Sequence, residues 1–74
     1  MSGIRKRFAK NLKKIRKEQM TQEELAEKLN ISVRYVQKLE GKDTPNVQLD
    51  TLEALAKALK VGVSDFFKKT KKGK

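Results

Sequence analysis

Four side chains in the middle of the chain, Val33, Arg34, Gln37 and Lys38, have types and spacing suited to reading nucleic-acid bases. At about 100° per residue, a helix through them gathers all four into one arc of about 140° that contains no acid. Arg and Lys donate to guanine O6 and N7, and Gln carries the paired donor and acceptor that adenine N6 and N7 require. A small branched side chain such as Val33 suits a thymine methyl. The plain alternative is a solvated helix face, since polar residues need no special reason to be exposed. Base reading needs more than an arc: a short, rigid helix must stand on a core that fixes its orientation.

The flanking residues supply that support. From Gln22 to Glu40 the chain reads as two short amphipathic helices joined by a tight polar turn. Leu25, Ala26 and Leu29 form the inner face of the first, and Val36 and Leu39 that of the second. Thr21 and Glu24 form a T-x-x-E capping box, with Met20 placed to staple onto Leu25. Ser32 caps the second helix, and Ile31 with Val36 repeats the staple. Asn30 falls where the turn needs a left-handed residue, a conformation Asn tolerates better than most. This pattern is a helix-turn-helix. Tyr35 sits on the border between its inner and outer faces.

Residues 20–61 resemble the XRE family of phage repressor and Cro regulators. The matching residues are Met20 to Ala26, Ser32, Val36, Leu39 to Lys42, Pro45 and Leu52 to Leu59. The chain departs from the family at Lys17-Glu18-Gln19, where a Gly and one more residue are usual, and in the loop from Gly41 to Gln48. The resemblance implies an all-α, compact five-helix bundle of the lambda-repressor type. It implies sequence-specific binding of double-stranded DNA by a homodimer on a pseudo-palindromic operator, and transcriptional regulation by repression or activation. Base contacts would come from Val33, Arg34, Gln37 and Lys38. Phosphate contacts would come from Thr21, Gln22, Ser32 and Tyr35, with an internal Arg16–Glu40 ion pair tying the first helix to the third. Lys42 and Asn46, in the following loop, can grip phosphate without reading sequence, or serve as ordinary solvated turn residues. RNA polymerase is a further partner, reached from a neighbouring site. Restriction–modification controllers are family members of this size. An antitoxin or adaptor, built on the same domain but working mainly through a protein partner, is the alternative.

Composition narrows the other classes. Seventy-four residues make one small domain, read here as 1–69 with a basic tail at 70–74. The chain has neither Cys nor His, which removes disulfides, thiolate ligands, the usual general base and the commonest metal ligand. No Gly-rich phosphate loop or acid cluster is present, so an enzyme is not expected, nor a metal or cofactor. Nineteen Lys and Arg against nine Asp and Glu give a formal charge of +10 and a pI near 10.1. That balance points to a polyanion, nucleic acid before membrane. No apolar run approaches the ~18 residues of a membrane span, and the N-terminus lacks a secretion-signal core. A cytoplasmic, nucleoid-associated protein of bacterial or phage origin is the expectation.

The remaining segments complete the bundle. A first helix over Ile4–Glu18 carries one apolar stripe, Ile4, Phe8, Leu12 and Ile15, and a strongly basic outer surface. A basic amphipathic helix can also lie on membranes, but this stripe is narrow and has no Trp. Gly41 is expected as a left-handed residue ending the third helix. A fourth helix over Leu49–Lys60 presents Leu49, Leu52, Leu55, Ala56 and Leu59 to the core, and Val61 and Gly62 end it. A short fifth helix begins near Val63, with Val61 placed to staple onto Phe66. Phe66 and Phe67 are adjacent and cannot share one core, so one of them is expected at a dimer interface.

Overall fold

The computed structural model describes residues 3–68, and these form four α-helices and a 3-10 turn with no strand among them. The helices are α1 (Gly3–Lys17), α2 (Gln22–Leu29), α3 (Val33–Glu40) and α4 (Leu49–Leu59), followed by the 3-10 turn Val63–Phe67. The tail expected over 70–74 lies outside the described residues.

Local signals set most of the boundaries. The Thr21 hydroxyl accepts the Glu24 N–H at 3.1 Å, and the Glu24 carboxylate accepts the Thr21 N–H at 2.8 Å. Both halves of the capping box are therefore formed, and two donors at the start of α2 are satisfied. At the end of α2, Asn30 is left-handed with φ 58°, and the Ile31 N–H donates back to Ala26 O at 2.9 Å. The end of α4 repeats that geometry with Lys60 at φ 59° and the Val61 N–H on Ala56 O at 2.9 Å. The stop is thus Lys60 itself rather than Val61 and Gly62. A Lys in this conformation carries backbone strain that Gly or Asn would largely avoid.

The core draws on every element: Phe8 and Leu12 from α1, Leu25 and Ala26 from α2, Val36 and Leu39 from α3, Leu52, Leu55, Ala56 and Leu59 from α4, and Phe66. Phe66 meets Phe8 edge-on with ring centroids 5.5 Å apart, and Phe67 stacks on the same ring at 5.8 Å. Phe66 is fully buried while Phe67 is half-buried, so the adjacent pair divides as its spacing requires.

Two further expectations change. Gly41 is extended (φ −93°, ψ −169°) rather than left-handed. Its lack of a side chain matters for space: a Cβ there would meet Gln37 O at 3.1 Å. The buried Thr44 hydroxyl serves this helix end instead, donating toward Leu39 O and Gly41 O at 3.4 and 3.0 Å. Second, Leu49 is 81% exposed and Ile4 60% exposed. Both lie in the first turn of their helix, one turn before the first residue that reaches the core, so periodicity extended the apolar face too far. The short fifth helix expected to begin near Val63 is formed over Val63–Phe67, as a 3-10 helix. Asp65 takes the Gly62 N–H at 2.9 Å and pairs with Lys68 at 2.8 Å, and the Lys68 hydrogen bond, then that of Gly62, holds its carboxyl below the ordinary Asp range. Five residues fixed by one buried ring and these bonds do not extend into an α-helix.

Candidate nucleic-acid interface

The candidate interface is the outer face of α3, and its geometry begins with how that helix is held. The Ser32 hydroxyl accepts the Tyr35 N–H at 3.1 Å, so its side-chain oxygen satisfies a donor at the helix start. Val36 and Leu39 have no exposed surface and anchor the inner face. At the other end Glu40 receives a bidentate grip from Arg16, with Nε on Oε2 at 2.6 Å and Nη2 on Oε1 at 3.0 Å. Arg16 Nη1 also donates to Met20 O, and Gln22 Nε2 donates to Glu40 Oε1, both at 3.0 Å. One buried carboxylate thereby joins α1, the α1–α2 turn, the start of α2 and the end of α3. The ion pair that the family resemblance implied is formed, with side chains 8% and 3% exposed.

On this fixed helix, Arg34, Gln37 and Lys38 are exposed. None makes a hydrogen bond or ion pair with another side chain among the described residues. Val33 is half-buried, packing one side against the core edge. Tyr35 is likewise half-buried against the core, so its ring is largely a packing group. The arc expected from the sequence is therefore assembled, with three free polar side chains and one partly available Val.

The candidate phosphate contacts divide. Thr21 and Ser32 are exposed, but each hydroxyl oxygen already accepts a helix N–H, leaving the hydroxyl proton to donate outward. Gln22 Nε2 donates one hydrogen bond to Glu40, which leaves its second N–H, beside the backbone N–H groups at the start of α2, available to an anion. Glu23 and Glu24 stand in the same first turn and oppose an anion there. Lys42 and Asn46 are exposed in the α3–α4 loop. Phe66 and Phe67 lie elsewhere in the fold, packed with α1 through Phe8.

Three supporting residues gave no signal in the sequence. Buried Asn11 donates from Nδ2 to Phe66 O and Lys68 O, each at 2.8 Å, and so fastens the 3-10 turn to α1. Gln19 Nε2 donates to Leu59 O at 2.7 Å, closing the end of α4 against the α1–α2 turn. Thr44 orders the loop that presents Lys42. All three satisfy carbonyls distant in sequence or in irregular backbone, which periodicity does not detect.

Among the described residues no cluster of acidic side chains could hold a metal, and no helix is long and apolar enough to cross a membrane. A family model described as helix-turn-helix matches residues 12–66. Neither the comparison with curated proteins nor that with solved structures yields a match. The matched region contains α2, α3, α4 and most of the 3-10 turn, and leaves out the first turns of α1.

Proposed function

From the premise that the chain belongs to the XRE family of helix-turn-helix DNA-binding regulators, we propose that it reads a specific duplex sequence through α3 and regulates transcription as a homodimer on a pseudo-palindromic operator. The observation that carries this reading is the free outer face of α3: Arg34, Gln37 and Lys38 exposed side by side on a helix whose two ends are pinned. A helix so held loses little further freedom on entering a major groove. Gln37 pairs with an adenine edge, Arg34 or Lys38 donates to guanine, and Val33 contacts a thymine methyl. Thr21, Ser32, Tyr35, Lys42, Asn46 and the backbone around Gln22 set the register on phosphates.

The dimer is supported by apolar surface left uncovered in one copy: Leu49 at 81% exposure, Val63 at 37%, and half-buried Phe67. Phe66 is fully buried and acts by positioning Phe67. Two copies with α3 helices about 34 Å apart would span successive turns of one duplex face. Covering a promoter represses, and binding beside one allows contact with RNA polymerase. The setting is the cytoplasm, on the nucleoid.

Selection of bound sequences from random duplexes, followed by titration of Gln37→Ala, tests this reading. The variant should lose about 1–3 kcal/mol on the selected duplex and little on a random one. Equal losses on both would show that α3 does not read bases. Sedimentation at tens of micromolar, together with two chains per operator at saturation, tests the dimer; a strict monomer with one chain per operator excludes it.

A further inference from the structure

Two copies of a chain with a formal charge of +10 repel unless they meet on a face where charge is balanced. α1 carries no acid. The exposed side of α2 has Glu23, Glu24 and Glu27 against Lys28 alone, and that of α3 has Arg34 and Lys38 with no acid. α4 differs. Its exposed charges are Asp50 and Glu53 toward the N-terminal end, Lys57 toward the C-terminal end, and Lys60 at the C-cap. None of the four makes an ion pair among the described residues, although Glu53 and Lys57 stand in the favourable i,i+4 order. Leu49, in the first turn, is the most exposed large apolar side chain among the described residues, at 81%. At about 100° per residue, Leu49, Asp50, Glu53 and Lys57 share an arc of about 100° that excludes the buried Leu52, Leu55 and Leu59.

Charge in this order is complementary to itself in one orientation only. A parallel pair of α4 helices sets acid beside acid and Lys beside Lys. An antiparallel pair about a two-fold axis sets each acid against a Lys of the other copy. The spacing also fixes the register. The step from Asp50 to Glu53 equals the step from Lys57 to Lys60, so a single axis at the level of Leu55 satisfies both pairs. The same axis brings exposed Leu49 opposite half-buried Val61 of the other copy. We propose that α4 is the self-association surface of this chain, packed antiparallel on α4 of a second copy. Glu53 faces Lys57, and Asp50 faces Lys60, across the axis. This places the axis on α4 rather than on the Phe67 ring, which stacks on Phe8 of its own chain. A contact built on one helix of 11 residues is small for a standard interface, so the dimer is weak and its pairing falls with added salt. The inference rests on the homodimer of the proposed function, and not on which residues read the bases.

The test is sedimentation of the full chain at low salt, with two charge reversals measured alone and mixed. Glu53→Lys sets like charges across the axis, and so does Lys57→Glu. Each should weaken self-association roughly tenfold. Lys57→Glu also lowers the net charge, so general repulsion between copies would instead strengthen its dimer. An equimolar mixture of the two variants should restore association to near the wild-type level, because each copy then meets its opposite charge on the other. The i,i+4 repulsion that either change creates within α4 persists in the mixture, so recovery reads the contact between copies alone. Circular dichroism confirms that each variant is folded. Variants that dimerise like wild type, or a mixture that associates no better than its parts, overturn the antiparallel α4 pairing and leave a dimer formed through another face. So does loss of the dimer in Phe67→Ala with both charge variants unaffected, which would put the axis at the 3-10 turn. A wild-type chain that stays monomeric at the same concentrations removes the homodimer itself, and the pairing with it.

Discussion

The helices α1 and α2 treat their own ends in opposite ways. At the start of α2, Thr21 and Glu24 satisfy two N–H groups, and Glu23 and Glu24 place negative charge at the positive end of the helix dipole. The first turn of α1 contains no acid and carries Arg5 and Lys6 at the same pole. Along α1 the pairs Lys6–Lys10, Lys10–Lys14 and Lys13–Lys17 repel at i,i+4 spacing, each costing roughly 0.2–0.5 kcal/mol. α2 is therefore written for local stability. α1 is stable through what it buries, and its surface is arranged against its own stability. An anion held against this face would relieve that repulsion.

Arg16 is the exception on α1, and it gives the largest expected effect. It is the one cation of that helix committed to the fold, so its loss should resemble core damage rather than loss of surface charge. Arg16→Ala leaves the Glu40 carboxylate buried with only the Gln22 amide for support, and should cost about 3–5 kcal/mol in denaturant unfolding. For a domain of this size that approaches the whole stability. Arg16→Met/Glu40→Leu, which removes both charges, should recover much of the loss. A single variant that unfolds like wild type would place Arg16 among the surface cations and erase the distinction.

The second effect concerns the other polar group that α1 buries. Asn11→Ala strips hydrogen bonds from the carbonyls of Phe66 and Lys68 and should cost about 1–3 kcal/mol. Because those carbonyls lie in and beside the 3-10 turn, hydrogen exchange should accelerate there before it does in α2 or α3. Uniform acceleration would mean that the turn is held by its Phe66 packing alone.

How legible these features were follows from the range of the interactions behind them. The capping box, Asn30, Ser32 and the exposed arc of α3 depend on residues within four positions, and their spacing in the chain is their geometry. The Arg16–Glu40 pair spans 24 residues and was accessible only through the resemblance to a family. Asn11 reaches 55 and 57 residues along the chain, and nothing near it announces a carbonyl to satisfy. Gly41 misled because a Gly after a helix usually marks a left-handed stop, whereas here it marks a close approach to Gln37 O. Ile4 and Leu49 misled because a helical stripe does not say where the core ends.

A third, smaller effect isolates α2. Thr21→Ala removes the hydroxyl that accepts the Glu24 N–H and should cost about 1 kcal/mol. Sequence preference in DNA binding should be unchanged, since the cap fixes the helix start without facing bases. Unchanged melting with altered preference would instead make Thr21 a base contact.

The smallest expected effect is also the one that sets the two helices most directly against each other. Lys6→Glu gives α1 what α2 already has, a carboxylate in the first turn. It replaces the Lys6–Lys10 repulsion by a Glu–Lys pair in the favourable i,i+4 order and complements the helix dipole. The gain should be about 0.5 kcal/mol, and the melting temperature should rise by roughly 2–4 °C at this chain length. Binding should move the other way. The same change removes one cation from the outer face of α1 and adds an anion, so affinity for random duplex should fall and the salt slope with it. Opposite signs in the two measurements would establish that the α1 surface gives up stability for ligand binding. A lower melting temperature would mean that Lys6 supports the fold through a contact of its own. A higher one with unchanged DNA binding would reduce Lys6 to solvated charge, and leave α3 and its loop to account for the affinity.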